Sequence, residues 1–278
     1  MLNRSSERQK PVVRVCRKQE ESQYRLVQAL LDQLRHTDGS RKVRLVETHI
    51  SWVLLAGDYA YKIKKSLNLG FLDFSTLAAR QHYCEEEIRL NRRFAADIYL
   101  DVIPVGGTPD RPVLGKRPAI EYAVRMRRFA AGSQLDRVLA RGKLLPEHLD
   151  SLAAALAVFH DALPPAPASS PYGTPEAIRG AAEQNFDQLQ ELLSGTPGIT
   201  QLAELRRWSR AEFAACKRKF LQRQASGRVR ECHGDLHLAN IVLAGRQPVP
   251  FDCIEFNPAL RWTDVVSDIA FTVMDLLH

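Results

Sequence analysis

Apolar positions in residues 21–35, ESQYRLVQALLDQLR, recur at helical spacing and put Tyr24, Val27, Leu30, Leu31 and Leu34 on one face. The period then shortens to two β-rich runs in VRLVETHISWVLLAGDYAYKIKKS, interrupted at Ala56-Gly57-Asp58. Gly-Asp between apolar runs is a turn signal, so the pattern predicts a hairpin entering a strand over Tyr59–Lys64. A long helical pattern, LAARQHYCEEEIRLNRRFA, follows Asp73-Phe74-Ser75-Thr76, with Ser75 as its expected N-cap. Strands are predicted near Asp101–Val105 and Ile120–Arg127, with the Gly/Pro-rich stretch GGTPDRP as the turn between them.

After Phe129-Ala130-Ala131-Gly132 the pattern becomes helical. Residues 146–162 form one helix, with Pro146 suited to its first turn. The Pro/Ser-rich stretch over 163–175 is a loop, and two further helices are expected over about 176–194 and 199–225. A short hairpin, IVL–AGRQP–VPFD, and a final helical pattern, DVVSDIAFTVMDLL, complete the chain. Strands first and helices later, with two late short strands, predict an α+β chain of two lobes. The division expected is a basic arm over 1–20, an N-lobe over 21–128 and a mostly helical C-lobe over 129–278.

Composition narrows the classes. A hydrophobic content of 45% and a charged content of 26% in 278 residues fit a globular chain with a sizeable core. The longest apolar runs, such as SLAAALAVF, are too short to span a bilayer, and the polar N-terminus MLNRSSERQK shows no secretory signal. Five scattered cysteines without a CxxC pair read as reduced thiols in a cytoplasm. Of the net charge of +7, residues 1–45 carry +6, so the body is nearly neutral. No aromatic residues alternate with the basic ones to make a stacking platform, which argues against nucleic acid.

The stretch CHGDLHLANIVL, starting at Cys232, is the densest in chemistry. Cys232, His233, Asp235 and His237 lie within six residues, whereas structural zinc sites draw ligand pairs from separated segments, so zinc is disfavoured. Asp235 and Asn240 stand five apart, and the hairpin delivers Asp252 twelve residues later. A carboxylate to orient a hydroxyl and take its proton, with an amide oxygen and a second carboxylate as hard ligands for Mg²⁺, suits phosphoryl transfer.

HGDLHLAN, then VPFDCIEF, then SDIAF resembles the aminoglycoside phosphotransferase family, small-molecule kinases with a protein-kinase-like fold. The resemblance implies that Asp235 is catalytic, that Asn240 and Asp252 hold Mg²⁺, that His233 braces the loop, and that Asp268 is structural. It also requires a lysine for the phosphates of ATP on an early strand. AYKIKK offers Lys62, with Lys64 on the same face as runner-up and Lys65 pointing the other way. Among Glu85, Glu86 and Glu87, the last lies beside the inward stripe Cys84, Ile88, Asn91 and Ala95, and is the expected partner of that lysine. The nucleotide base is expected against the backbone around Met126, Arg127 and Arg128. Thr48-His49-Ile50-Ser51 stands where a phosphate-covering loop belongs, without a glycine. His160 is read as a packed structural histidine.

Residues 49–93 further resemble the N-terminal half of bacterial two-part proteins, in which such a domain precedes a P-loop ATP-binding domain. This sequence has no GxxxxGK[ST], so a separate P-loop partner domain is implied, and the usual later helices imply a C-terminally shortened chain. The activity implied is transfer of the γ-phosphate of Mg-ATP to a hydroxylated acceptor. Two alternatives stand beside it: a nucleotide-binding regulatory module or pseudokinase without turnover, and an adaptor whose basic arm binds a polyanion.

Overall fold

The computed structural model describes residues 17–37 and 43–278. The basic arm expected over 1–20 lies, up to residue 16, outside the described residues. In chain order the first elements are α1 (Arg17–Thr37), β1 (Arg44–Glu47), β2 (Ser51–Ala56), β3 (Tyr59–Lys64), α2 (Leu77–Ala95), β4 (Tyr99–Thr108), β5 (Arg111–Leu114) and β6 (Ala119–Arg127). Then come α3 (Leu135–Ala140), α4 (Pro146–Ala162), α5 (Pro175–Leu192), α6 (Gly198–Ala225) and β7 (Val229–Glu231). A 3-10 turn (Leu238–Asn240), β8 (Ile241–Ala244), β9 (Gln247–Pro250), α7 (Pro258–Arg261), β10 (Trp262–Asp264) and α8 (Val265–Leu277) end the chain. The fold is therefore α+β, with strands concentrated early and helices late.

The chain divides into two compact units, one running to Leu152 and taking in Leu238–Asn257, the other made of Ala153–His237 and Pro258–His278. In the first, six strands pair antiparallel in the order β1-β2-β3-β6-β4-β5. Side chains alternate across a strand, so β2, β3, β4 and β6 each serve two cores. Ile63, Leu54, Trp52 and Ala123 pack with Leu26, Val27, Leu30 and Leu31 of α1. Ala60, Tyr122, Val124 and Met126 face Cys84 and Ile88 of α2. The predicted α1 face needs one change, because Tyr24 is exposed and Leu26 takes the inward place.

Three local expectations also shift. Thr76, not Ser75, caps α2, because its hydroxyl accepts from Ala79 N–H at 3.1 Å, one position before the first helical residue. Ser75 instead donates its N–H to Asp73 Oδ1 at 2.9 Å. GGTPDRP is not wholly a turn, since Gly106–Thr108 close β4 and pair with Arg111–Val113 of β5. β7 and β10, which pair antiparallel in the second unit, have no counterpart in the hydrophobic pattern, each being three residues long.

In the second unit α5 and α6 are tied by Glu183, whose carboxylate accepts from both Arg206 and Arg210. The Arg210 and Arg206 hydrogen bonds hold Glu183 down to about 2. Asp264 caps α8 by accepting from Val266 N–H, and its carboxylate also takes both arms of Arg223.

The first unit also contains a sealed ion pair that locks α1, α2 and β6 together. Arg80 Nε donates to both oxygens of Glu121 at 2.9 and 3.0 Å, its Nη1 reaches Phe74 O, and Gln23 Nε2 donates to Glu121 Oε2 at 2.7 Å. Removing one partner of a buried pair strands the other charge, so Arg80→Met is expected to destabilise the fold by about 3–5 kcal/mol, read as a lower urea midpoint.

Candidate active site

The alternation of β3 decides which lysines enter the first unit's interior. Lys62 and Lys64 project to the α2 side while Ile63 between them enters the α1 core. Both lysines are buried, and α2 brings Glu87, fully buried, between them; Glu85 is exposed and Glu86 half-buried. Lys62 Nζ donates to Glu87 Oε1 at 2.8 Å and Lys64 Nζ to Glu87 Oε2 at 2.7 Å. Each lysine has a second acceptor: Lys62 donates to Asp252 Oδ1 at 2.5 Å, and Lys64 to Glu255 Oε1. Five charges thus alternate in one chain: Asp252, Lys62, Glu87, Lys64, Glu255. Lys65, on the opposite face, binds Glu47 and the carbonyl of Thr48.

Burial alone would lower both lysines. For Lys62 the carboxylates of Asp252, Glu87 and Glu255 outweigh it, and for Lys64 those of Glu255 and Glu87 do, so both stand above the ordinary lysine value. Burial pushes Glu255 above the usual carboxylate range, with Lys64 and Lys62 acting against it.

The segment bearing Asp252 is gripped through its backbone. Asp252 has φ of 64°, a left-handed conformation that aspartate tolerates better than most residues. Its N–H donates to Tyr99 Oη at 3.0 Å, and Cys253 N–H donates to Asn91 Oδ1 at 2.9 Å. Asn91 Nδ2 in turn donates to Glu87 O, so one turn of α2 holds both the carboxylate and the segment. Asn240 ends the 3-10 turn, and its carbonyl accepts from Phe251 N–H at 2.9 Å. That bond closes the base of the β8–β9 hairpin and puts Asn240 and Asp252 at the same end of it.

The second unit holds Asp235 on a loop built around Asp268. Asp268 is fully buried, and its carboxylate accepts from Gly234 N–H at 2.8 Å, His233 N–H at 3.2 Å and His160 Nε2 at 3.0 Å. Burial would raise it, but the His160 hydrogen bond, the electrostatic interaction with the His233 side chain and the two backbone donors hold it below the ordinary range. His233 Nδ1 accepts from Asp235 N–H at 3.3 Å. Gly234 has φ of 87°, and a Cβ there would meet Leu260 O at 2.8 Å, so glycine is required twice over. His237 Nε2 lies 3.4 Å from Asp235 Oδ2, and both side chains are partly exposed. His160 therefore does more than pack: it is one of the three donors that fix Asp268.

At the end of β6, Met126 is buried, and the N–H groups of Arg127 and Arg128 donate to Ile98 O and Asp58 O. Thr48-His49-Ile50-Ser51 forms a closed turn between β1 and β2, in which Thr48 Oγ1 accepts from Ser51 N–H at 2.9 Å. Glu255 and Tyr99 had no role in the sequence reading, and Asn91 was placed on the inward stripe of α2 without a partner. Glu255 had a visible signal, since an acidic residue inside the otherwise apolar CIEF demands a buried counter-charge.

With this geometry in place, the profile of the APH phosphotransferase enzyme family matches residues 71–276. The chain belongs to that family. It is 32% identical over 237 residues to the uncharacterised protein Rv2004c of Mycobacterium tuberculosis and to its counterpart in Mycobacterium bovis, covering 83% of this chain and 45% of each relative. The chain thus spans less than half the length of the curated relatives it matches. Among solved structures it is similar to a choline/ethanolamine kinase family protein from Mesorhizobium loti, with TM-score 0.44 and 14% identity over 90% of this chain and 70% of that one. An ADP-bound aminoglycoside phosphotransferase gives TM-score 0.40 and 15% identity over 86% of this chain and 72% of that one. Among the described residues, no helix is long and apolar enough to cross a membrane.

The HGD and SDIA segments thus have a physical content in this chain. Asp268→Ala leaves three buried donors without an acceptor and is expected to cost about 3–5 kcal/mol at pH 7. Because the carboxylate is held below its unfolded value, that contribution is present above about pH 4 and is lost as the pH falls further, through the folded value. Urea unfolding of wild type and variant at neutral and acid pH should show the gap narrowing in acid.

Proposed function

We propose that the chain transfers the γ-phosphate of Mg-ATP to the hydroxyl of an acceptor. The observation that carries this reading is Lys62, an ammonium sealed into the first unit by Glu87 yet also paired with Asp252, whose side chain is 41% exposed. Glu87 fixes the lysine, while the half-exposed pairing with Asp252 is the one that an anionic ligand can exchange. In this reading Lys62 turns from Asp252 to the nucleotide phosphates and keeps its bond to Glu87.

Asn240 and Asp252 fit a magnesium ion by donor chemistry, one amide and one carboxylate oxygen at the same end of a hairpin. Bound there, the ion would supply charge neutralisation on the phosphate oxygens. Asp252 is released for it when Lys62 leaves, which couples metal binding to nucleotide binding. Met126, Arg127 and Arg128 are proposed to meet the base. Asp235 accepts the proton of the acceptor hydroxyl as its oxygen bonds to the γ-phosphorus and the bond to the leaving ADP breaks. His233 and Asp268 keep the Asp235 backbone in place. The thiols of Cys84, Cys216, Cys232 and Cys253, which form no disulfide among the described residues, suit a reducing compartment, so the cytoplasm is the proposed setting.

The test is a thermal-shift titration with ATP, with and without Mg²⁺, joined to a transfer assay. At a hundredfold excess over the dissociation constant, the nucleotide should stabilise the protein by about 2.7 kcal/mol. Asp252→Ala should lose the magnesium-dependent part of that shift. Asp235→Ala should keep the shift and lose transfer, since it removes a group needed only in the transition state. Absence of any Mg-ATP shift in the wild type would overturn the reading. Full transfer by Asp235→Ala would overturn the role given to Asp235.

A further inference from the structure

The reading above uses Lys62, Glu87 and Asp252 and leaves the other half of the charge chain unexplained. Lys64 and Glu255 are 1% and 4% exposed, so their ion pair is closed to solvent and to an exchanging ligand. A sealed ion pair of this kind is a poor source of stability, because the desolvation of both charges opposes their attraction. Its placement supplies a different reason. Lys64 is two residues from Lys62 on β3, and Glu255 is three residues from Asp252 on the segment after β9. The two ion pairs are parallel rungs between the same strand and the same segment.

The rungs differ in what they can release. The Lys62–Asp252 rung is half-exposed on its carboxylate side, whereas the Lys64–Glu255 rung is closed. Lys64 is also the better anchored post. Its carbonyl accepts from Gln23 Nε2 at 2.8 Å, its ammonium lies 5.1 Å from the centre of the Phe74 ring, and it takes Glu87 Oε2 for itself. The last contact fixes the orientation of Glu87 without help from Lys62.

We propose that Lys64 and Glu255 are a positioning pair that holds the Asp252 segment against β3 and Glu87 while Lys62 exchanges Asp252 for another ligand. This rests on the nucleotide reading of the site for its purpose, though not for the holding itself. The pair keeps Asp252 in its left-handed conformation and keeps Cys253 on Asn91 once the first rung opens. The metal-binding carboxylate therefore stays in register instead of being re-ordered at each binding event, and outer-shell contacts of this kind are commonly worth about 10–100-fold in metal affinity.

The experiment compares wild type, Glu255→Gln and the double variant Lys64→Met with Glu255→Met, in which the pair becomes apolar at similar volume. Two quantities are read below the unfolding range: amide hydrogen exchange at Asp252 and Cys253, and ATP affinity with and without Mg²⁺. Glu255→Gln should speed exchange at those two amides while amides of β2 and β6 keep their rates, and should weaken Mg-ATP binding by about tenfold or more. ATP affinity without Mg²⁺, which rests on Lys62, should change far less. The double variant, which also strips Glu87 Oε2 of its ammonium, should lower the urea midpoint. Below its own unfolding range it should still show both losses, with exchange at Asp252 and Cys253 raised more than at β2 and β6; a merely structural pair would raise exchange evenly. Wild-type exchange at the two amides in the double variant would overturn the proposal. Should the wild type bind no Mg-ATP, the functional reading falls, while the exchange rates still decide whether the pair holds the segment.

Discussion

The sealed carboxylate of Glu87 is the constraint on which the first unit's chemistry depends. A fully buried carboxylate needs compensation at both oxygens, and each oxygen here has its own ammonium. Two lysines of one strand can reach the same carboxylate only from alternate positions, so the demand fixes the register of β3 against α2. Ile63, between them, is then committed to the opposite core with α1. A slip by one residue would put Ile63 against Glu87 and both ammonium groups into the apolar packing of α1.

The second unit solves the same problem with different donors. Asp268 is compensated by two backbone N–H groups and one imidazole, so its charge organises a loop instead of a strand. This explains why the motif joins distant letters: SDIA supplies the acceptor, HGD supplies two donors, and the glycine is the residue whose backbone can come within reach of Leu260 and Arg261. Each unit thus carries one buried carboxylate whose partners come from several elements, and each carboxylate sits next to a half-exposed one, Asp252 or Asp235, on the same framework. Such networks specify geometry more than they add stability.

Much of this was legible in the chain. The spans of α2 and α4, the Gly57-Asp58 turn and the late hairpin follow from period and turn chemistry, because long periodic segments and Gly-centred turns carry strong local signals. The resemblance asks for a strand lysine and a helix glutamate, and the side each residue would face then singled out Lys62, Lys64 and Glu87. What escaped had no local signal or had one that was misread. β7 and β10 are three residues each and are recruited by pairing with each other, not by pattern. Ser75 and Thr76 compete for one cap, and the outcome depends on which backbone donor lies within reach. Tyr99 and Asn91 act through hydroxyl and amide groups on backbone far along the chain, which no spacing rule foresees. Glu255 was visible as a charge in an apolar run, and what it lacked was a named partner.

The division between closed and open carboxylates is what gives the arrangement its chemistry. Glu87, Glu255 and Asp268 are each 4% exposed or less, and their hydrogen bonds leave them no reason to change partner. Asp252 differs in both respects: its side chain is partly exposed, and its backbone is held in a left-handed conformation by Tyr99 and Asn91. Non-glycine residues kept in that region store of order 1–3 kcal/mol, and they persist only where the surroundings over-determine them. Tyr99 and Asn91 hold this segment through its backbone N–H groups, so neither of them occupies the carboxylate that Lys62 binds. The strain therefore aims a group that can exchange its partner, while the groups that cannot are the ones that hold it in place.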